Sequence, residues 1–269
     1  MRVFVLGSGS SGNCIIVESG GARVVLDAGL NPTAATRQLR TLGADLFPLG
    51  AASPLGIFVT HHHGDHIAQV LPLARALKAP VYMHEGISAA RVRSRLEVRP
   101  YGPGEAIRVG PFVIDSLWLP HDAPQVALRV TAGSCRFGLA TDLGHVRRDL
   151  VDFLGACDVA LIESNHCPMM LQDGPYPPRL KERVRGPLGH LANEQTAELA
   201  RKLVGRRVAR LMLGHISRAN NSPARALAVV AEACPSLGVE VIPNGHPRAF
   251  DIDPPRAHSR CFAQLELPF

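Results

Sequence analysis

The chain has 269 residues, of which 46% are hydrophobic and 19% charged, and these are the proportions of a soluble globular enzyme with a substantial core. Extensive disorder is excluded, and no apolar run is long enough for a signal peptide or a membrane span, so we expect a cytoplasmic protein without a membrane partner. The net charge of +6 comes mainly from arginine, which suits phosphate, and it favours an anionic substrate unless it reflects only a GC-rich genome.

The hydrophobic pattern of the first half predicts five strands and two helices. The strands are predicted over 2–6, 14–18, 23–27, 55–59 and 81–84. One helix begins after Asn31-Pro32 and ends at Gly43, and the other follows a histidine-rich segment and runs to about Leu77. The small-residue loop 7–13 opens a strand and lacks the dinucleotide-binding spacing, so a Rossmann fold is excluded and we expect a turn near the mouth of a site.

The second half continues with strands, a loop-rich region and two more helices. The strands are predicted over 112–119, 125–130, 135–141, 159–162, 208–213, 239–242 and 248–252. The helices are predicted over 194–203, capped by Asn193, and near 224–233, while 168–189 should form loops and short helices. Strands outnumber helices in each half, so we predict an α+β fold of two packed sheets with helices outside. It would form one domain over 1–253, with a peripheral tail over 254–269.

The segment Thr60-His61-His62-His63-Gly64-Asp65-His66 is the densest group of chemically active side chains in the chain. It lies between an apolar run that predicts a buried strand and one that predicts a helix. Histidine and aspartate at this density in a strand-to-helix turn indicate a metal site, whereas a histidine-rich surface loop is the weaker alternative.

Further polar residues follow other predicted strands. They are Asp27, His121, Asp142, Glu163 and His215, and the histidine-rich segment shares this position after a strand. Residues at strand ends on one edge of stacked sheets can meet in one place, so we predict a single site from these separated positions. Nitrogen and carboxylate ligands in this number are enough for two metals and suit zinc, with manganese or iron as alternatives.

The chain resembles the metallo-β-lactamase superfamily over nearly its whole length. The segment His61-His62-His63-Gly64-Asp65-His66 matches the His-x-His-x-Asp-His signature of that family. The resemblance implies a four-layer αββα sandwich of two mixed sheets. It also implies that one metal is bound by His61, His63 and His121, a second by Asp65, His66 and His215, and both by a bridging Asp142. Asp27 would hold the ligands in place without binding metal, and His62 would point outward.

Motifs in the second half resemble the YycJ branch, which is related to the tRNA 3′-processing nucleases (RNase Z) and associated with 5′-to-3′ DNA exonuclease activity. These motifs are Glu163-Ser164-Asn165-His166, Gly189-His190-Leu191-Ala192-Asn193-Glu194 and Gly214-His215-Ile216-Ser217. The resemblance implies that His190 donates a proton to the leaving oxygen or binds the scissile phosphate, with Glu163 orienting it. Cys167 and Ala192 depart from the acidic residue and the serine usual in the branch, which leaves the metal ligands intact but affects substrate contacts.

The implied activity is hydrolysis of a nucleic-acid phosphodiester by a hydroxide that bridges two divalent metals, with Asp65 orienting the hydroxide or taking its proton. The predicted substrate-binding residues are Asn165, His166, Arg179, Lys181 and Arg183, of which the last three would neutralise backbone phosphates. The span from 121 to 142 is too short for a tRNA-clamping arm. Two alternatives remain: a lactonase or thioesterase with the same metals, which needs an apolar pocket, and a metal-binding protein without catalysis.

Overall fold

The computed structural model describes residues 1–46, 54–87, 90–102 and 104–254, whose strands form two seven-stranded sheets. The strands are β1 (Arg2–Gly7), β2 (Cys14–Ser19), β3 (Ala22–Leu26), β4 (Ile57–Val59), β5 (Val81–His84), β6 (Val98–Tyr101), β7 (Ile107–Val109), β8 (Phe112–Leu119), β9 (Gln125–Ala132), β10 (Cys135–Ala140), β11 (Val159–Glu163), β12 (Arg210–Gly214), β13 (Gly238–Val241) and β14 (Arg248–Asp251). The helices are α1 (Pro32–Thr41), α2 (Gly64–Ile67), α3 (Val70–Leu77), α4 (Ala90–Arg93), α5 (Arg148–Gly155), α6 (Pro168–Asp173), α7 (Pro178–Arg185), α8 (Asn193–Leu203) and α9 (Pro223–Ala233).

The two sheets have the same internal arrangement. Their strand orders are β14-β1-β2-β3-β4-β5-β6 and β13-β12-β11-β10-β9-β8-β7. Strands β3 to β6 run parallel in the first sheet and β10 to β13 run parallel in the second, while the remaining neighbours are antiparallel. Parallel strands end at the same edge of a sheet, so the segments after β3 and β4, and those after β10, β11 and β12, leave their sheets side by side.

Apolar side chains on both faces of each sheet build a four-layer sandwich. In β1, Val3 and Val5 belong to the core between the sheets, whereas Phe4 and Leu6 belong to the core beneath α1 and α3. This alternation explains why the strand is apolar at each position from Val3 to Leu6: both of its faces are buried there. Helices α5, α8 and α9 cover the outer face of the second sheet, where Leu199 is fully buried. The predicted αββα sandwich is therefore confirmed.

Several features depart from the predicted elements or lie beyond them. Strand β6 and helix α4 are absent from the prediction, and the single helix predicted up to Leu77 is divided into α2 and α3. Helix α5 was missing from the prediction, although its buried residues Leu150, Val151 and Leu154 have helical spacing. The predicted cap of α8 is wrong, because Ala192 is the N-cap and the Asn193 side chain accepts a hydrogen bond from the Ser164 hydroxyl at 2.7 Å. Residues 255–269 of the predicted tail lie outside the described residues. In the described part of the chain, no helix is both long and apolar enough to cross a membrane.

Candidate metal centre and active site

Three residues that end parallel strands or follow them have left-handed backbone conformations. Asp27, Asp142 and His215 follow β3, β10 and β12 with φ of 60°, 59° and 51°. A residue with a Cβ adopts this conformation only where its surroundings enforce it, and such residues concentrate at functional sites. Here the Ser8 hydroxyl accepts a hydrogen bond from the backbone N–H of His215 at 2.9 Å. The chain thus turns sharply at each strand end and brings all three side chains into one centre.

Three histidines form the first group of candidate metal ligands. His61 and His63 follow β4 and His121 follows β8, and one ring nitrogen of each lies within 4.8 Å of the others. Burial lowers the pKa of all three below the ordinary histidine value, so the rings are neutral at pH 7. Neutral imidazole nitrogens with free lone pairs are the form that binds a metal.

A second group joins the first through Asp142. Ligand atoms of Asp65, His66 and His215 lie within 4.8 Å of one another, and Asp142 forms a further group with His61 and His66. The Oδ2 atom of Asp142 is 3.1 Å from Nε2 of His66, and its Oδ1 atom is 3.6 Å from Nε2 of His215. Burial raises the pKa of Asp142, but His215 and His66 outweigh this and hold it well below the usual range, so the carboxylate is charged.

The donor atoms fit a divalent cation. Nε2 of His61 and Oδ2 of Asp142 are buried and have no hydrogen-bond partner in the described part of the chain, although His66 lies near the latter. Leaving such atoms unpaired is costly, and a bound cation would satisfy both. Histidine nitrogens with carboxylate oxygens are the ligands of zinc, manganese and iron. The residues therefore suit divalent metal without selecting one ion.

Asp27 fixes the orientation of His66. Its Oδ2 atom lies 2.7 Å from Nδ1 of His66, and its Oδ1 atom accepts hydrogen bonds from the backbone N–H and the hydroxyl of Thr60 at 2.8 and 2.9 Å. Burial lowers the pKa of His66, but Asp27 and Asp142 raise it to about 10. With Nδ1 engaged by Asp27, the opposite nitrogen of the ring is turned toward Asp142 and Asp65.

The small-residue loop before β2 supports the histidine-rich segment, a role that the sequence did not reveal. The backbone N–H of Asn13 donates to the carbonyl of Asp65 at 2.7 Å, and the Asn13 side-chain nitrogen lies 3.3 Å from Oδ2 of Asp65. Gly29 lets these segments meet, because a Cβ at that position would lie 1.9 Å from the Asp65 carbonyl oxygen. A glycine packed against backbone is the only sequence signal for this contact.

Glu163, which is fully buried, and His190, which is partly exposed, form a pair whose ligand atoms lie within 4.8 Å of those of Asp142 and His215. Oε1 of Glu163 accepts hydrogen bonds from the backbone N–H groups of Leu143 and Leu191 at 2.9 and 3.0 Å. Its Oε2 atom lies 3.0 Å from Nδ1 of His190 and 3.4 Å from Nδ1 of His215. One fully buried carboxylate therefore orients both the predicted proton donor and a predicted metal ligand.

A cavity of about 370 Å³ opens onto this centre. Its lining comprises Ser10, His63, Gly64, Asp65, Asp142, Asn165, Tyr176, Leu180, Arg183, Val184, His190, His215, Ile216 and Ser217. Of the predicted substrate-binding residues, Asn165 and Arg183 line this cavity, whereas His166 and Lys181 line a neighbouring one. Arg179 is exposed on α7 and lines neither. His62 is exposed, and Cys167 is buried outside the metal-ligand groups of the described residues.

Asp122 is a site residue that the sequence interpretation missed. Its Oδ1 atom lies 3.3 Å from Nε2 of His63 and 3.3 Å from Nε2 of His121. Its Oδ2 atom accepts a hydrogen bond from Nε of Arg183 at 2.6 Å. Burial raises the pKa of Asp122, but Arg183 and His121 lower it further, so it is ionised. Asp122 thus ties helix α7 to the first histidine group, and its position next to His121 was the only available signal.

The comparisons with known proteins agree with this geometry. A family model described as "Beta-lactamase superfamily domain" matches residues 22–216. The exodeoxyribonuclease WalJ of Streptococcus pneumoniae is 34% identical over 226 residues, covering 81% of this chain and 82% of that protein. The exodeoxyribonuclease YycJ of Bacillus anthracis is 28% identical over 243 residues, covering 88% and 90%. The solved structure of the short form of human tRNase Z shares the fold, with a TM-score of 0.63, 16% identity and coverage of 94% and 100%.

Proposed function

The chain belongs to the beta-lactamase superfamily and is a metal-dependent hydrolase, and from this premise we propose that it hydrolyses phosphodiester bonds of DNA, as a 5′-to-3′ exonuclease. The observation that carries the proposal is the Glu163–His190 pair. Nδ1 of His190 lies 3.8 Å from Oδ1 of Asp142, and both His190 and Asp142 line the catalytic cavity. A protonated imidazole at this place suits a reaction whose leaving group is an alkoxide oxygen. The names of both bacterial relatives support DNA as the substrate.

We assign two divalent ions to the two ligand groups. His61, His63 and His121 would hold one ion, Asp65, His66 and His215 the other, and Asp142 would contact both. When bound, a pair of such ions lowers the pKa of water and neutralises the charge of the attacked phosphate. Zinc is the proposed ion, with manganese or iron as alternatives.

His190 supplies the proton that the departing oxygen needs. Burial lowers the pKa of His190, but Glu163 outweighs this and raises it above the usual value, so the ring keeps its second proton to a higher pH than an ordinary histidine. Glu163 accepts a hydrogen bond from the Nδ1–H group, which leaves the Nε2–H group of His190, a residue that lines the cavity, available to donate. Asp65, which also lines the cavity, is held by Asn13 and His215 in a position to orient a water molecule.

Helix α7 supplies positive charge for the phosphate backbone. Arg183 reaches the cavity, where its pairing with Asp122 leaves the remaining guanidinium donors available. Arg179 and Lys181 on the same helix add charge for phosphates farther along the strand. These contacts go to phosphates and are independent of base sequence, as expected for an exonuclease.

The proposal is tested with substrates of different classes. Zinc- or manganese-loaded protein would be assayed on bis(p-nitrophenyl) phosphate, on single-stranded DNA labelled at either end, on a lactone and on a thioester. We expect phosphodiester and DNA cleavage, with labelled mononucleotide released first from the 5′ end. His190→Ala should lower kcat for DNA about 10²- to 10⁴-fold at unchanged metal content, as loss of a general acid does when the leaving group is an alkoxide.

His246→Ala is the matched control, because His246 is exposed and lines neither cavity. It should retain wild-type rates. Turnover of the lactone or the thioester without phosphodiester cleavage would reject the nuclease proposal in favour of a small-molecule hydrolase. Metal binding without turnover of any substrate would indicate a metal-binding protein.

A further inference from the structure

A second cavity, of about 290 Å³, lies on the other side of helix α7 from the catalytic cavity. Its lining comprises His166, Pro168, Leu171, Gln172, Lys181, Arg185, Ala192 and Gln195. Leu180, Arg183 and Val184 of α7 face the catalytic cavity, while Lys181 and Arg185, one turn apart, face the second. The helix is therefore a wall shared by the two cavities.

The second cavity is positively charged. Lys181 donates to the backbone carbonyl of Gln172 at 2.6 Å, and neither Lys181 nor Arg185 forms a salt bridge with the described residues. Acidic side chains are absent from the described lining, although Glu182 and Glu194 lie nearby in sequence. Two cations that share a cavity without a counter-charge favour an anion.

The side chain of His166 adds an unsatisfied polar group. His166 is 2% exposed, and its Nδ1 atom has no hydrogen-bond partner among the described residues. Its backbone is fixed, because its carbonyl accepts the N–H of Asn193 at 2.9 Å. Burial lowers the pKa of His166 to about 4, so the ring is neutral at pH 7 and has one N–H to donate.

The start of helix α8 borders the same cavity, since Ala192 and Gln195 line it. The carbonyl of His166 accepts the N–H of Asn193, but Ala192, the N-cap, has no side-chain oxygen to accept the N–H groups that follow. The Gln195 side-chain oxygen accepts the N–H of Ala192 at 2.8 Å, which leaves the Gln195 amide nitrogen free to donate. An uncapped helix N-terminus beside two cations and a neutral histidine is the donor arrangement of a phosphate site.

We infer that the cavity formed by His166, Lys181, Arg185 and Gln195 binds a phosphate group. In a DNA substrate this phosphate belongs to the same strand as the scissile bond, since Asn165 and His166 are adjacent in the chain and line one cavity each. It is either the terminal phosphomonoester or a backbone phosphodiester. The assignment to DNA rests on the proposed function, whereas the binding of phosphate does not.

Inorganic phosphate is the first test. It would be titrated calorimetrically into metal-loaded wild-type protein and a Lys181→Ala/Arg185→Ala variant. The control is Arg148→Ala/Arg201→Ala, which removes the same charge from exposed positions that line neither cavity. We expect the first variant to bind one phosphate fewer per chain, or at least tenfold more weakly, and the control to match wild type. Equal binding by all three proteins would overturn the site, whether or not DNA is cleaved.

Ala192→Ser tests the helix terminus separately. A serine hydroxyl would accept the free N–H groups of α8, as N-cap serines do, and compete with the anion. We expect weaker phosphate binding in a protein that is at least as stable to heat as wild type. Unchanged phosphate binding in this variant, together with unchanged binding by the charge variant, would leave no role for the cavity and reject the inference.

Cleavage kinetics identify the source of the phosphate. The charge variant should raise the KM for single-stranded DNA about tenfold relative to the control pair, with a much smaller change in kcat. If the site binds a terminal phosphomonoester, the increase occurs with 5′-phosphorylated DNA and not with 5′-hydroxyl DNA. If it binds a backbone phosphodiester, KM rises equally for both. Equal losses on DNA and on bis(p-nitrophenyl) phosphate would instead mean that α7 only supports the catalytic cavity, and would overturn the site.

Discussion

Nδ1 of His190 lies 3.0 Å from Oε2 of Glu163, which is fully buried and anchored by two backbone N–H groups. The two groups stabilise each other in their charged forms. Burial lowers the pKa of His190 and raises that of Glu163, but the attraction between them reverses both effects. His190 consequently keeps its proton to a higher pH than an ordinary histidine, which extends the range in which it can act as an acid.

We predict that Glu163→Gln shifts the alkaline limb of the pH–rate profile to lower pH. The wild-type rate should fall as pH rises through the pKa of His190. Removing the carboxylate removes the charge that raises this pKa, so the alkaline limb must move to lower pH. We also expect kcat near pH 7 to fall about 10- to 100-fold, because less His190 is protonated and its ring is less well oriented. The measurement is kcat against pH with single-stranded DNA, whose alkoxide leaving group needs the proton, because p-nitrophenolate leaves readily without one.

Glu198→Gln is the matched control for this shift. Glu198 is exposed on α8, where its carboxylate bonds to Lys202 at 2.7 Å, so its loss should not alter the profile. A Glu163→Gln profile that keeps the wild-type alkaline limb would show that His190 is not the titrating acid.

Two adjacent histidines should differ in their effect on metal content. We expect wild-type protein to bind about two divalent ions per chain. His61→Ala should lose about one ion and most activity, because the His61 ring is fully buried in the ligand cluster. It should also lower Tm by removing the stabilisation that bound metal provides. His62→Ala should leave metal content and Tm unchanged, since its side chain is exposed. Metal content by mass spectrometry and Tm by calorimetry decide the point, and equal effects would refute the ligand assignment.

Asp27→Asn should weaken metal binding without removing a ligand. Asp27 orients His66 and is bonded to Thr60, and loss of such a supporting carboxylate typically costs about 10- to 100-fold in metal affinity or activity. Asp251→Asn, at an exposed position at the end of β14, should bind metal like wild type. The measurement is competition with a chelator of known affinity. Wild-type affinity in Asp27→Asn would mean that Thr60 and packing alone hold His66.

The strand ends explain how much of this centre the sequence predicted. Asp142 and His215 each follow a short, mainly apolar segment that predicts a strand, so the pattern placed them at strand ends without knowledge of the sheet order. Asp122 was missed because its role comes from a contact with Arg183, 61 residues away, which no local pattern encodes. Asn193 was misinterpreted for a related reason. A good capping residue was drawn into a buried network with Ser164 and Asn221, and tertiary hydrogen bonds outweighed the local preference.

Arg183 should matter more for DNA than Arg179, its neighbour on α7. Arg183→Ala removes a guanidinium from the catalytic cavity and frees Asp122, so we expect KM for single-stranded DNA to rise about tenfold. The slope of log KM against log salt concentration should fall by about 0.7, the value for one lost phosphate contact on a single strand. Arg179→Ala should have a smaller effect, because Arg179 is exposed and lines neither cavity. Steady-state kinetics at several salt concentrations test this order, with Arg148→Ala as the control. Equal effects of all three substitutions would mean that α7 contributes only nonspecific positive charge.

Gly29→Ala should unfold or strongly destabilise the protein. A methyl group at this position would lie 1.9 Å from the carbonyl oxygen of Asp65 and 2.5 Å from the backbone nitrogen of Asn13, neither of which can move without breaking their mutual hydrogen bond. We expect a loss of about 3 kcal/mol or more in the free energy of unfolding, at the upper end of overpacking costs. Gly64→Ala is the comparison, since a Cβ there meets nothing within 4 Å and alanine is the better helix former at the start of α2. Urea denaturation of metal-free proteins compares the two. Similar midpoints would mean that the loop before β2 can separate from the histidine-rich segment, and that the metal ligands do not depend on that contact.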